Sequence, residues 1–300
     1  MAARFPFAPV ALLSALILSA LVACGGPDEG VTGDEQDLTS QRIRLMEGNL
    51  SSGNQQSYLS PGSHIFAGLH PDVALVQEFN VGANSKLELD TWVKTTFGPA
   101  YSYFRESSAA FQIPNGVVSR FPILASGSIT DPKVGNRAFA YARLQLPDGS
   151  KLWAFSLHLL TKGDRDAEAA ALVKWIKAAV PAGDHVVIGG DFNTGTRTEP
   201  CVLTLGAVVS VVAPFPVDNQ GNEMTSGNRS KPHDWLLVDA ALRARETPVA
   251  IKASRFPSGL VVDTRVYSPI LDLSPAVATD SGAPSMQHMG VVRDFLLPVK

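Results

Sequence analysis

Short apolar runs, each bounded by a side chain capable of chemistry, recur along the chain. Arg42-Ile43-Arg44-Leu45-Met46 leads into Asn49, Val73-Ala74-Leu75-Val76 ends in Gln77-Glu78, and Ala154-Phe155-Ser156-Leu157 ends in His158. Val186-Val187-Ile188 leads into Gly189-Gly190-Asp191-Phe192-Asn193. Further on, Asp234 directly precedes Trp235-Leu236-Leu237-Val238, and His288 opens a run from Met289 to Val292. Runs of this kind predict buried strands. A polar group at one end of so many strands predicts a sheet edge that carries the chemistry. The paired glycines let the backbone turn tightly, and Asp191 and Asn193, two apart on extended chain, point the same way. Gly, Asp and Asn also dominate turns for local reasons, so this segment alone reads equally as a strand-ending turn. The recurrence tips the reading toward a site.

Helical spacing appears between the strands. From Asp164 to Val180, Ala167, Ala171, Trp175 and Ala178 recur at three- and four-residue steps, with Pro181 as a stop. Lys86–Thr96 is a second helix. Ala138–Leu146 and Lys151–Leu157 flank Pro147-Asp148-Gly149-Ser150 and predict a hairpin with an Asp-Gly turn. The pattern fits an α/β (α+β) domain, a four-layer sandwich of two packed, mostly antiparallel sheets flanked by helices. The expected catalytic domain is residues 41–300.

The N-terminus departs from this pattern. Arg4 is followed by an apolar run from Val10 to Val22 that is short for a membrane span, and Leu21-Val22-Ala23-Cys24 reads as a lipobox. Residues 1–24 are therefore expected to be a lipoprotein signal peptide with Cys24 acylated, placing the chain in a bacterial cell envelope, lipid-anchored (outer membrane by its flanking residues) or secreted. Residues 25–40, rich in Gly, Asp, Glu, Thr and Ser, read as a flexible tether. Cys201 is then the remaining thiol, with a buried structural role expected. The whole chain is 45% apolar with formal net charge −3, and losing Arg4 with the leader makes it −4. That weakens tight, nonspecific nucleic-acid binding, which rests on neutralising phosphates. No Cys/His cluster has zinc spacing, and the glycines fit neither a P-loop nor a dinucleotide fingerprint.

The order Asn49, Gln77-Glu78, Ser156-Leu157-His158, Gly189-Gly190-Asp191-Phe192-Asn193, Asp234-Trp235 and His288, with Ser119-Arg120-Phe121-Pro122-Ile123 between, resembles the endonuclease/exonuclease/phosphatase superfamily, the deoxyribonuclease I-like fold. The resemblance runs from about Arg42 to Pro298. It implies a metal-dependent phosphodiesterase with Glu78 and Asn49 on Mg²⁺ (Mn²⁺ or Ca²⁺ as alternatives). His158 and His288 would transfer protons and stabilise charge, Asp191 would position or deprotonate water, and Asn193 would donate to a phosphate oxygen. Asp234 would orient His288, and Glu106, after the expected strand Tyr101–Phe104, would orient His158. The family's Ser-Asp-His triplet is Met286-Gln287-His288 here, so Gln287 is a weakened metal ligand, with Asp280 a substitute if its loop folds back. His64, His70, His185 and His233 are assigned structural roles.

The leading expectation is an extracytoplasmic endonuclease, monomeric, acting on nucleic acid. The alternatives are a phospholipid or small-molecule phosphodiesterase or phosphatase of the same fold (sphingomyelinase-like), or a non-catalytic surface binding lipoprotein. Lys231-Pro232-His233-Asp234-Trp235 stands where inositol phosphatases of the superfamily carry a Trp-Cys-Asp-Arg element, which counts against that branch.

Overall fold

The computed structural model describes residue 1 and residues 40–108 and 110–299. Residues 2–24 of the expected signal peptide, Cys24 included, and residues 25–39 of the expected tether lie outside them, whereas Ser40, the last expected tether residue, opens the first strand. Contacts divide the chain into Met1–Gln36 and Asp37–Lys300, and the second unit is the one considered below. Among the described residues no helix is long and apolar enough to cross a membrane.

Among the described residues fourteen strands follow in chain order: β1 Ser40–Gly48, β2 Val73–Val76, β3 Ser102–Arg105, β4 Gly116–Ser119, β5 Ile123–Ile129, β6 Phe139–Gln145, β7 Lys151–His158, β8 His185–Asp191, β9 Asp234–Val238, β10 Glu246–Thr247, β11 Val249–Ile251, β12 Ser254–Phe256, β13 Leu260–Val262 and β14 Gly290–Pro298. Seven form one sheet in the order β10-β14-β1-β2-β4-β3 with β13 also on β14, and five form a second, β5-β6-β7-β8-β9. Pairing is antiparallel except between β1 and β2 and between β7 and β8. The helices are α1 Ser60–Leu69, α2 Lys86–Thr96, α3 Arg165–Ala179, α4 Pro200–Leu205 and α5 Ala240–Arg243.

Strand alternation builds the layers. Ile43, Leu45, Val73, Leu75 and Val117 of the first sheet meet Ala142, Leu144, Ala154, Val187 and Leu236 of the second in a core between the sheets. The opposite faces carry Met46, Val76 and Val118 against Ile65, Phe66 and Trp92, and Phe155, Ile188 and Leu237 against Leu172, Ile176 and Val202. The result is the expected sandwich of helices, two sheets and helices.

Local signals account for the connections. Ser85 and Glu88 form a capping box that starts α2, and Asp164 accepts from the Ala167 N–H to cap α3. In the β6–β7 hairpin Gln145 pairs with Lys151 across the expected turn. The buried stripe of α3 is Ala169, Leu172, Val173 and Ile176, offset from the Ala167-Ala171-Trp175-Ala178 spacing. Leucine, valine and isoleucine bury more apolar area than alanine and so decide which face turns inward. Cys201 is buried on α4, as expected.

Two adjacent glycines let the sheets close at the end of β8. A Cβ on Gly189 would lie 2.7 Å from Leu75 Cδ1 and 3.0 Å from Glu47 Cβ, while Gly190 has φ +147° and its Cβ would overlap the Leu157 carbonyl. Both backbone strain and collision therefore oppose a side chain at Gly190. Gly190→Ala should destabilise the fold by about 3 kcal/mol or more. A urea midpoint equal to wild type would contradict this account.

Candidate active site

The inward-facing rows of the two sheets change from apolar to polar at one end. On β7 the row is Ala154, Ser156, His158; on β8 it is Val187, Gly189, Asp191; on β9, running the other way, it is Val238, Leu236, Asp234. Register places His158 opposite Asp191 and Asp191 opposite Asp234, so the three stand in line across neighbouring strands. From the first sheet, Asn49 follows β1, Glu78 follows β2 and His288 precedes β14. Tyr58 ties the β1 and β2 ends together, its hydroxyl donating toward the carbonyls of Gly48 (2.8 Å) and Gln77 (3.0 Å). Gln77 Nε2 donates to Ser156 Oγ across the sheets at 2.9 Å.

These placements bring six of the expected residues together. Asn49 Nδ2 lies 3.1 Å from Glu78 Oε1 and 3.3 Å from Asp191 Oδ2. Both His158 Nε2 and His288 Nε2 lie 3.4 Å from Asp191 Oδ2, and His288 Nδ1 lies 3.1 Å from Asp234 Oδ2. Glu78 has φ +51°, a left-handed turn that is costly for a glutamate. Its carboxylate is held by Ser51 Oγ on one oxygen and by Asn49 and by Gln56 (2.9 Å) on the other.

Electrostatics divide the histidines. Burial holds the His158 pKa well below its ordinary value, helped by Arg137 and His288, so this imidazole is neutral. Burial also acts to lower His288, but the carboxylates of Asp191, Asp234 and Glu78 outweigh it and raise it to about 10. Burial raises Glu78, Asp191 and Asp234 alike. Among the described residues Asn49 Oδ1, Asp234 Oδ1 and His158 Nδ1 are buried without a hydrogen-bond partner. A space holding carboxylates and an unpartnered amide oxygen suits a hard divalent cation.

Several expected residues lie elsewhere or act differently. Glu106 does not reach His158. Its Oε2 accepts from the backbone N–H groups of Asn115 (2.8 Å) and Ala138 (3.3 Å), because β3 ends where those groups need an acceptor. The carboxylates nearest His158 are Asp191 and Glu78, the latter 3.9 Å from Nδ1. Asn193, with φ +53°, donates its backbone N–H to Asp191 Oδ1 (2.8 Å) and its side-chain Nδ2 to the Leu159 carbonyl (3.0 Å). Gln287 is exposed, and its backbone carbonyl accepts from Gly227. Asp280 is held by His64, 3.3 Å away, and by the Val277 N–H, so its loop does not fold back into the site.

Three further groups belong to the site. His233, half-buried, completes with Asp191 and His288 a set whose potential ligand atoms all lie within 4.8 Å of one another. Its position beside Asp234 was the available signal. Glu47 is fully buried, both carboxylate oxygens lack a partner, and burial together with Asp234 and Asp191 holds its pKa well above the usual range. Period-two alternation from Ile43 and Leu45 already points Glu47 inward. Arg137 donates to the carbonyls of His158 and Leu159, fixing the end of β7.

A model of the Endonuclease/Exonuclease/phosphatase family matches residues 60–252, a span that includes Glu78, His158, Asp191 and Asp234 but not Asn49 or His288. No curated protein matches the chain. Among solved structures, an endonuclease/exonuclease/phosphatase family protein from Leptotrichia buccalis is similar at 13% identity, covering 84% of this chain and 99% of that one with a TM-score of 0.59. The 3′ phosphatase NExo from Neisseria, bound to a product DNA hairpin, aligns at 14% identity over 84% and 99% of the two chains with a TM-score of 0.56. D. rerio TDP2 complexed with a single-strand DNA product aligns at 17% identity over 85% and 98%, with a TM-score of 0.52.

The displaced Glu106 generates a pH test. Burial raises its pKa from 4.5 to about 7. The unfolded carboxyl ionises near 4.5 while the folded one keeps its proton to about 7, so stability falls as pH rises through that window and levels off above it. Glu106→Gln keeps an acceptor and removes the titration, so it should gain on the order of 3 kcal/mol on wild type between about pH 4 and about pH 8. Urea titrations at both pH values measure this, and an unchanged difference between the two proteins would refute it.

Proposed function

The chain belongs to the endonuclease/exonuclease/phosphatase family, whose members hydrolyse phosphoester bonds, and from that premise we propose that it is a Mg²⁺-dependent phosphodiesterase acting as an extracytoplasmic endonuclease. The observation that carries this reading is the convergence of Asn49, Glu78, His158, Asp191, Asp234 and His288 on one buried space. Two of the similar structures are complexes with DNA products, which favours nucleic acid over a phospholipid as substrate. Gln287 lies exposed, so its replacement of a family aspartate removes no group from the cluster described above.

Glu78 and the amide oxygen of Asn49 would hold the cation. When bound, it supplies positive charge against the phosphate oxygens. His288, kept protonated by Asp191 and Asp234, is placed to stabilise negative charge gathering on a phosphoryl oxygen. Asp234 fixes its ring through Nδ1, leaving Nε2 toward the site. Asp191 orients the attacking water and accepts its proton, and neutral His158 beside it relays protons at Nε2. Asn193 contributes by aiming Asp191 through its backbone N–H. In-line displacement at phosphorus depends mainly on this positioning and charge. Acylation of Cys24 would hold the enzyme on the membrane, with more than one chain needed for stable attachment.

Hydrolysis should need added divalent cation, and Glu78→Gln should lower kcat about a hundredfold or raise the Mg²⁺ requirement. DNA, RNA, sphingomyelin and a chromogenic phosphodiester are the substrates to compare. Full turnover in excess EDTA would overturn metal dependence, and turnover of sphingomyelin alone would replace the nuclease reading.

His158→Ala, His288→Ala and Asp191→Asn should each reduce kcat by about a hundredfold or more. Any pair combined should cost far less than the product of the singles, because the groups act as one unit. Wild-type rates in the folded histidine variants would end the enzymatic reading.

Cys24→Ala should shift the protein from the membrane fraction to the soluble one, or block its processing. Mass spectrometry showing an unacylated wild-type N-terminus in soluble protein would overturn the lipid attachment.

A further inference from the structure

Beside Glu78 the surface opens into a cleft of about 530 Å³, and no charged side chain lines it among the described residues. Its walls are amides and one aromatic ring. Five of those amides are exposed, Asn54, Gln55, Gln56, Asn84 and Gln112. For Asn54, Gln55 and Gln112 the hydrogen bonds run through the backbone: Ser57 Oγ donates to the Asn54 carbonyl (2.9 Å), and Asn80 Nδ2 donates to the carbonyls of Gln55 (3.3 Å) and Gln112 (2.8 Å). Among the described residues no hydrogen bond is made by the side-chain amides of Asn54, Gln55 and Gln112, which leaves them free to meet a ligand. Phe111, half-buried, supplies the ring.

The cleft is built onto the catalytic centre. Gln56 lines it and donates Nε2 to Glu78 Oε1 at 2.9 Å, so one wall residue of the cleft touches the carboxylate placed to hold metal. Gln55 and Gln56 are consecutive non-glycine residues at φ +57° and +54°. That conformation is costly for residues with a Cβ, and Asn80 holds it by gripping the Gln55 carbonyl. Asn80 Oδ1 in turn accepts from Arg105 (3.0 Å), whose charge is spent there and on the Phe79 carbonyl.

Neutral walls make a poor home for a run of phosphates, which lysine and arginine bind. Side-chain amides carry a donor and an acceptor side by side, the arrangement that pairs with the edge of a nucleobase. An adjacent ring offers the stacking face that any base accepts. We propose that this cleft is a nucleobase subsite, taking the base of the nucleotide next to the scissile phosphate while that phosphate lies at Glu78. The assignment rests on the phosphodiesterase reading and adds to it the group recognised.

The full-length protein in detergent, wild type and the variants Gln55→Ala, Gln112→Ala and Phe111→Leu, separates the possibilities. On a thymidine 5′-(4-nitrophenyl phosphate) ester each variant should raise KM by about tenfold, the scale of one lost base contact. On methyl 4-nitrophenyl phosphate, which has no base, kcat/KM should stay within about twofold of wild type. In parallel, saturation-transfer NMR should show adenosine and uridine binding to wild type and weakening in the variants, with myo-inositol silent. Equal losses on both esters would mean the residues only support the fold, and preference for myo-inositol would reassign the cleft to a polyol; either overturns the subsite. If neither ester is hydrolysed, the phosphodiesterase reading fails while the nucleoside titration still decides whether the cleft binds bases.

Discussion

The contact between His288 and two carboxylates, Asp191 at 3.4 Å and Asp234 at 3.1 Å, is the one on which the rest of the site depends. It sits where the inner faces of two sheets meet and water is excluded. Charges there cannot be left alone, since an unpaired buried ion costs several kcal/mol. The imidazolium answers part of the demand made by Asp191, Asp234 and Glu78, and their combined field holds its proton up to about pH 10. The remaining negative charge is what suits the space to a cation. Suitability for a cation and histidine protonation thus follow from one constraint, burial of carboxylates at the end of an apolar sandwich.

The same geometry explains why packing near the site is so tight. Glu47 extends the polar row one step into the core, where both its oxygens lack a partner and burial raises its pKa. Gly189 leaves room against the Glu47 stem and Leu75, and Gly190 lets β8 turn beside the Leu157 carbonyl. A larger residue at either position would push Asp191 away from both imidazoles. Arg137 works from the other side by holding the carbonyls of His158 and Leu159. The chemistry is carried by strand ends, and the positions just inside them fix where those ends stop.

This division governs what the sequence discloses. Strand-end residues such as Glu78, His158 and Asp191 are legible because alternation and glycine punctuation mark both the strand and its last inward position. The sandwich is legible for the same reason, through the apolar rows. α1 is not, since it starts with Leu59 as an apolar cap and carries Pro61-Gly62 in its first turn, which read as loop. The role of Glu106 depends on which backbone N–H groups β4 and β6 leave unsatisfied, a fact of tertiary pairing with no local signature. Gln287 and Asp280 follow the path of a loop, and Asp280 is captured by His64 across a long sequence separation. The amide cleft likewise joins segments near residues 54, 80 and 112 that no periodicity links.

The two catalytic-type histidines show how one buried space produces opposite protonation states. His288 faces carboxylates from two directions and becomes a fixed cation. His158 lies 3.4 Å from the same Asp191 oxygen, yet burial holds its pKa well below the ordinary value, with the charges of Arg137 and His288 acting in the same direction. Groups whose environments push their pKa values apart are suited to different tasks, one holding charge and one moving protons. The separation comes mainly from burial, which no close carboxylate field offsets at His158 as it does at His288, with the charges of Arg137 and His288 adding to it. Asp191 is shared by both rings and by Asn49, so a change at Asp191 removes a contact from both histidines at once.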